Sequence, residues 1–136
     1  MLAVERIYET VLYADDLEAA AKFYRDGLGL KLLSQNELML VFAAGENYLL
    51  IFNAEKSSAA GRMVPAHGAK GAGHIAFAAS AKERQAWKAR LIDAQIEIES
   101  IVQWDKDRGY SIYVRDPAGN SVEFAPPGLW SYLEAT

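Results

Sequence analysis

Apolar and polar positions along the chain follow two periods, and the order in which the periods occur repeats. The stretch RIYETVLYAD opens the first series, with Thr10, Val11, Leu12 and Tyr13 favouring a strand. In DDLEAAAKFYRDGLGL, Leu17, Ala20, Ala21, Tyr24 and Leu28 fall at helical spacing. Asp15 followed by Glu18 predicts the helix cap, and Gly27 and Gly29 its end. LKLLS, ELMLVFA and NYLLIFN then read as three short strands, separated by turn signals at Gln35-Asn36 and Gly45-Glu46-Asn47. A second series begins at GHIAFAA, a strand. Ser80 and Glu83 form a capping box before a helix over 81–93, with Trp87, Leu91 and Ile92 among its apolar positions. IEIES, YSIYVR and NSVEFAP follow as strands, the last two joined by the turn DPAGN.

The pattern predicts an α+β fold of two βαβββ modules, 5–53 and 73–127, in one domain of 136 residues. The segment 54–72 is rich in Gly, Ala and Ser and reads as a linker without elements of its own. In the tail, 128–136, Trp130, Tyr132 and Leu133 are apolar residues expected to dock on the domain or on a second chain. The caps Asp15 and Ser80 differ by 65, as do Glu18 and Glu83; the same offset relates Glu9 to His74.

That register changes the meaning of a histidine at the head of a strand. Alternate strand residues share a face. Glu9 lies with Val11 and Tyr13, His74 with Ala76 and Ala78, and Glu123 with Ser121 and Ala125. If the three faces line one concavity, two carboxylates and an imidazole converge. Without a cation the carboxylates would repel each other and one would hold a proton. One divalent ion removes the conflict, and His plus carboxylate suits zinc, iron, manganese, nickel or cobalt. Each residue also has a plain reading: His74 as a satisfied core histidine, Glu123 bonded to a backbone amide, Glu9 paired with Arg6 or Arg115. Tyr13, Arg108 and Tyr113 are candidate contacts for a small-molecule substrate, as alternatives to packing or a solvated loop arginine.

Composition narrows the classes further. There is no cysteine, so disulfides, thiolate catalysis and Cys-ligated metal are excluded, which suits a cytoplasmic setting. The net charge is −4 with no basic stripe, an argument against nucleic acid. No apolar run approaches the roughly 20 residues that span a bilayer, and MLAVERIYET lacks the apolar core of a signal peptide. No phosphate loop, dinucleotide fingerprint or Ser–His–Asp order is present.

VLYADDLEAAAKFYRDGLGLKLL, GAGHIAFAAS and YSIYVRDPAGNSVEFAPP together resemble the vicinal oxygen chelate superfamily, over about residues 5–127. That superfamily includes glyoxalase I, bleomycin-resistance proteins, extradiol dioxygenases, fosfomycin-resistance enzymes and methylmalonyl-CoA epimerase. The resemblance implies two modules forming a cupped, incomplete barrel around one divalent metal ion, with a homodimer common among small members. It implies metal ligands at His74 and Glu123, with Glu123 also the catalytic carboxylate, and a first ligand at Glu9, where many members carry His or Gln. The four-ligand glyoxalase pattern has a further carboxylate on the last strand of the first module. Alternation points to Leu49 and Ile51 there, both apolar, which counts against ordinary glyoxalase I activity. Glu9 in place of histidine counts against extradiol cleavage, since a doubly anionic set makes the ion a weaker Lewis acid. The implied function is a metal-dependent enzyme acting on vicinal oxygens. The rival is a metal-free protein that sequesters a cationic drug.

Overall fold

The computed structural model describes residues 2–135. The chain divides into two compact units, Met1–Gly71 and Ala72–Thr136. Each contains a four-stranded mixed sheet, and neither sheet is closed into a barrel.

In the first unit the elements are β1 (Glu9–Tyr13), α1 (Leu17–Ala21), β2 (Lys31–Gln35), β3 (Met39–Ala44), β4 (Asn47–Phe52) and a single-turn helix α2 (Ala54–Ser57). The sheet order is β1-β4-β3-β2. β1 runs parallel to β4, and the other pairs are antiparallel hairpins. The crossover between parallel strands requires a long connection, which the helix supplies. Asp16, rather than Asp15, is the cap: its backbone is extended, and its side chain accepts from the Ala19 amide, three residues on, at 3.0 Å. After Ala21 the helix widens into a π-helical stretch, Lys22–Gly27, and the Leu28 amide donates to the Phe23 carbonyl. Gly29 then turns the chain with φ 80°, a conformation costly for a side-chain-bearing residue. Ala20, Ala21 and Tyr24 are buried on one helical stripe, and Tyr24 packs against Phe42 with ring centroids 5.8 Å apart.

The segment after β4 is more ordered than its composition predicts. Asn53 caps α2 by accepting from the Lys56 amide at 3.0 Å. Ser57 is fully buried, and its hydroxyl donates to the His67 carbonyl at 2.6 Å while the His67 amide donates back to the Ser57 carbonyl at 3.0 Å. The His67 ring meets Phe52 edge-on. A segment that reads as a linker from sequence is here tied together by the Ser57–His67 bonds and set against β4 by the His67 ring.

In the second unit β5 (His74–Ala78) is followed by α3 (Ala81–Asp93), β6 (Ile98–Gln103), β7 (Tyr110–Arg115) and β8 (Ser121–Ala125). The order β5-β8-β7-β6 repeats the first sheet strand for strand. A register slip between Leu32 and Ser34 in the first sheet recurs between Ile98 and Ser100 in the second. β6 starts two residues later than IEIES suggests, because Gln95 adopts a left-handed φ of 58° and the chain is still turning out of α3. The predicted capping box is complete: Ser80 accepts from the Glu83 amide and the Glu83 carboxylate accepts from the Ser80 amide. Those bonds to Ser80 hold the Glu83 carboxyl below its ordinary value. α3 covers one sheet face, where Val122 and Phe124 are fully buried and Trp87 stacks on Phe124 at 4.3 Å. Leu91, one turn beyond Trp87, is buried; Ile92, also an apolar position of the helix, is rotated off that stripe and is 69% exposed. A short 3₁₀ turn, Ser131–Ala135, follows the last strand.

Candidate metal centre

The face of the second sheet opposite α3 carries His74, Ser121, Glu123 and Tyr113. β8 is flanked by β5 on one side and β7 on the other. Ala76 and Tyr113 are the register partners of Glu123, and Ser121 is the partner of His74. His74 and Glu123 are therefore diagonal neighbours on adjacent strands, with Nε2 of His74 3.1 Å from Oε1 of Glu123. Alternation along each strand and the pairing of β5 with β8 together bring them to one face.

Nδ1 of His74 lies 3.1 Å from the Ser121 carbonyl oxygen. A carbonyl only accepts, so Nδ1 carries the proton and donates. In a neutral ring Nε2 then offers a lone pair to a carboxylate oxygen, which also only accepts. A proton or a cation is needed between them. Glu123 is 6% exposed, and its second oxygen, Oε2, is buried without a hydrogen-bond partner. Leaving a buried acceptor unsatisfied costs on the order of 1–3 kcal/mol, more when it is charged. An imidazole lone pair and a carboxylate with an orphaned oxygen fit a divalent cation, which would satisfy both. The Tyr113 ring stacks on His74 with an interplanar angle of 24°. Burial first, then the charge and hydrogen bond of Glu123, push the Tyr113 hydroxyl above its ordinary pKa, with Ser111 opposing. Tyr113 is thereby kept a protonated donor beside the carboxylate.

Glu9 begins β1 in the first unit as His74 begins β5 in the second. It is exposed. Arg6 donates to the Glu46 carbonyl, and Arg115 pairs with Glu99 at 2.9 Å. Among the described residues no group of three or more His, Cys, Asp or Glu is placed to hold a metal ion, so the assembled pair is His74 with Glu123.

The strand registers correct the reading of β4. Glu9 pairs with Tyr48 as His74 pairs with Ser121, so the counterpart of Glu123 is Leu50. Leu49 and Ile51 instead match Val122 and Phe124, and like them are fully buried in the core. Alternation alone could not choose the face, because parity depends on where β4 docks against β1. The first unit still has no carboxylate at this position.

The expected substrate contacts have partners within their own units. The Tyr13 hydroxyl is hydrogen-bonded to Nδ1 of His67 at 2.7 Å, a contact the sequence did not suggest. Arg108 donates to the Asp105 carboxylate at 2.6 Å and lies 4.8 Å over the Tyr132 ring, which fastens loop 104–109 to the tail. That same guanidinium holds the Asp105 carboxyl below its usual range. Asn120 was legible only as a turn residue, although it proves to be 2% exposed and bonded to both Asp116 and Gly73.

The family model described as Glyoxalase/Bleomycin resistance protein/Dioxygenase superfamily matches residues 6–124. The chain belongs to this superfamily. It is 42% identical to a solved lactoylglutathione lyase from Agrobacterium tumefaciens, covering 93% of this chain and 97% of that one with a TM-score of 0.87. The superfamily fold is shared with a glyoxalase/bleomycin resistance protein/dioxygenase from Nocardioides, 24% identical over 94% of this chain and 88% of that one, with a TM-score of 0.71. A virulence protein from Salmonella typhimurium has the same fold at 23% identity and TM-score 0.71, covering 92% and 98% of the two chains. No match was found among curated proteins. No helix among the described residues is long and apolar enough to cross a membrane.

Proposed function

We propose that this superfamily member is a metal-dependent enzyme acting on a small molecule with two adjacent oxygens. The observation that carries the reading is Nε2 of His74 3.1 Å from a buried Glu123 carboxylate with one oxygen unpartnered. His74 and Glu123 are two protein ligands. Glu9 holds in the first unit the register position that His74 holds in the second. Zinc, iron, manganese, nickel and cobalt all suit such donors. When bound, the ion would polarise a substrate carbonyl or stabilise an enolate or oxyanion. The chain's own residues do the rest. The Ser121 carbonyl holds the His74 ring in one orientation, Glu123 can take or return a proton, and the Tyr113 hydroxyl donates to developing negative charge. Trp130, Tyr132 and Leu133 are about half exposed, and they support assembly as a homodimer. A cytoplasmic setting agrees with the absence of cysteine.

The decisive experiment is metal analysis of protein purified without chelator, repeated on His74→Ala. Bound divalent metal that falls sharply in the variant supports the reading. Equal occupancy in both, or none in either, refutes it. Tight binding of a cationic drug by metal-free protein would support sequestration in its place. The reaction is addressed by assays with iron(II), manganese, nickel and zinc supplied separately. The likeness to lactoylglutathione lyase makes lactoylglutathione formation the first activity to assay. Leu50, where the second unit has Glu123, argues for weak turnover, and Glu9 argues for weak catechol cleavage. A kcat/KM in the roughly 10⁴–10⁸ M⁻¹s⁻¹ range for either would overturn the corresponding argument.

A further inference from the structure

A buried side chain outside the proposed ligand set is tied to His74 through two short links. Asn120 ends the turn before β8 and uses both ends of its amide. Nδ2 donates to Asp116 Oδ2 at 2.9 Å, and Oδ1 accepts from the Gly73 amide at 2.8 Å. Asp116 is held in turn by the amides of Ala118 and Asn120, each at 2.9 Å from its Oδ1. Gly73 is gripped from its other side as well, since the Ser121 amide donates to its carbonyl at 2.9 Å. The next residue is His74, whose Nδ1 reaches the carbonyl of that same Ser121. Asn120 and Asp116 are 2% and 4% exposed, so water does not compete for these bonds.

We infer that Asn120 is a positioning residue for His74, clamping the head of β5 so that Nδ1 donates to Ser121 and Nε2 alone is presented beside Glu123. The inference rests on the metal reading above and concerns how one of its ligands is held. A turn whose only task was to reverse the chain would need the Asp116 bonds but not the link across to Gly73. Aspartate could not replace Asn120, because its second oxygen would face Asp116 without a proton to donate. Outer partners that orient a ligating histidine commonly change metal affinity by about 10–100-fold when removed.

The test uses the full chain and zinc alone. Zinc affinity is measured by calorimetry for wild type, Asn120→Ala and Asn120→Ser, with Leu91→Ala as a destabilised control whose altered residue lies in the core under α3. The expected result is zinc binding weakened about 10–100-fold in both Asn120 variants and little changed in Leu91→Ala. In zinc-loaded wild type the His74 Nδ1 proton should give a slowly exchanging NMR resonance, lost on substitution of Asn120. A third measurement needs no variant: zinc should slow exchange of the Gly73 amide more than that of the α3 amides. Wild type that takes up no zinc refutes the metal reading, and this role of Asn120 falls with it. Zinc-binding wild type with unchanged affinity in a folded Asn120 variant, or with Gly73 exchange insensitive to zinc, overturns the positioning role alone.

Discussion

Replacing Glu123 with glutamine should raise the stability of the metal-free protein and lower that of the metal-loaded protein, a reversal that only a metal site explains. Glu123 is 6% exposed, with Oε1 3.1 Å from His74 Nε2 and Oε2 unpartnered. In Glu123→Gln the charge is gone, and the amide can donate to the Nε2 lone pair that the carboxylate opposes. Where Nε2 carries no proton, the new hydrogen bond is worth about 0.5–1.5 kcal/mol, and removal of the buried charge acts in the same direction. His74 remains half exposed and can be hydrated, so no partner is stranded. A net gain of about 1 kcal/mol should raise Tm by about 3–5 °C in a domain of this size. With free zinc at about 100 times its Kd, wild type gains about 2.7 kcal/mol by mass action and the variant gains little. The order of the two melting curves therefore inverts when zinc is added. Calorimetry with and without metal reads both effects. A metal-free Glu123→Gln destabilised by more than about 1 kcal/mol would show that the carboxylate is a satisfied structural group and refute the reasoning.

Other outcomes follow from the same structure. Ser80→Ala removes half of the capping box of α3 and should cost about 1 kcal/mol by urea denaturation, within a range of about 0.5–2. Tyr113 has a folded pKa raised above its ordinary value, so its contribution is present below about pH 10 and lost as pH rises through the folded pKa. Wild type should accordingly lose more stability than Tyr113→Phe between about pH 9 and pH 11, read from urea midpoints; parallel losses would contradict the half-buried, carboxylate-facing hydroxyl. Sedimentation equilibrium should show a dimer well above micromolar concentration, and a monomer there would dismiss the exposed tail aromatics as an interface.

The order of the elements was legible in the sequence because period-two and helical patterns are local. Ser80 and Glu83 lie three residues apart, so their capping box could be read without any knowledge of what α3 packs against. The shared face of Ser121 and Glu123 within their strand was equally readable, since strand alternation turns spacing into direction; that His74 lies beside them follows from the pairing of β5 with β8. The family resemblance rested on those same stretches. Tertiary structure alone decided what depends on pairing between distant segments. Docking of β4 against β1 makes Leu50, rather than Leu49 or Ile51, the counterpart of Glu123. Packing of α3 on β8 selects Leu91 and leaves Ile92 in solvent. Ser57 and His67 strap a segment whose composition suggested only a linker. Most consequentially, the carbonyl facing His74 Nδ1 and the orphaned oxygen of Glu123 arise from backbone and burial contributed by strands almost fifty residues apart in sequence. No local pattern encodes such a contact, because it exists only once those strands share a sheet.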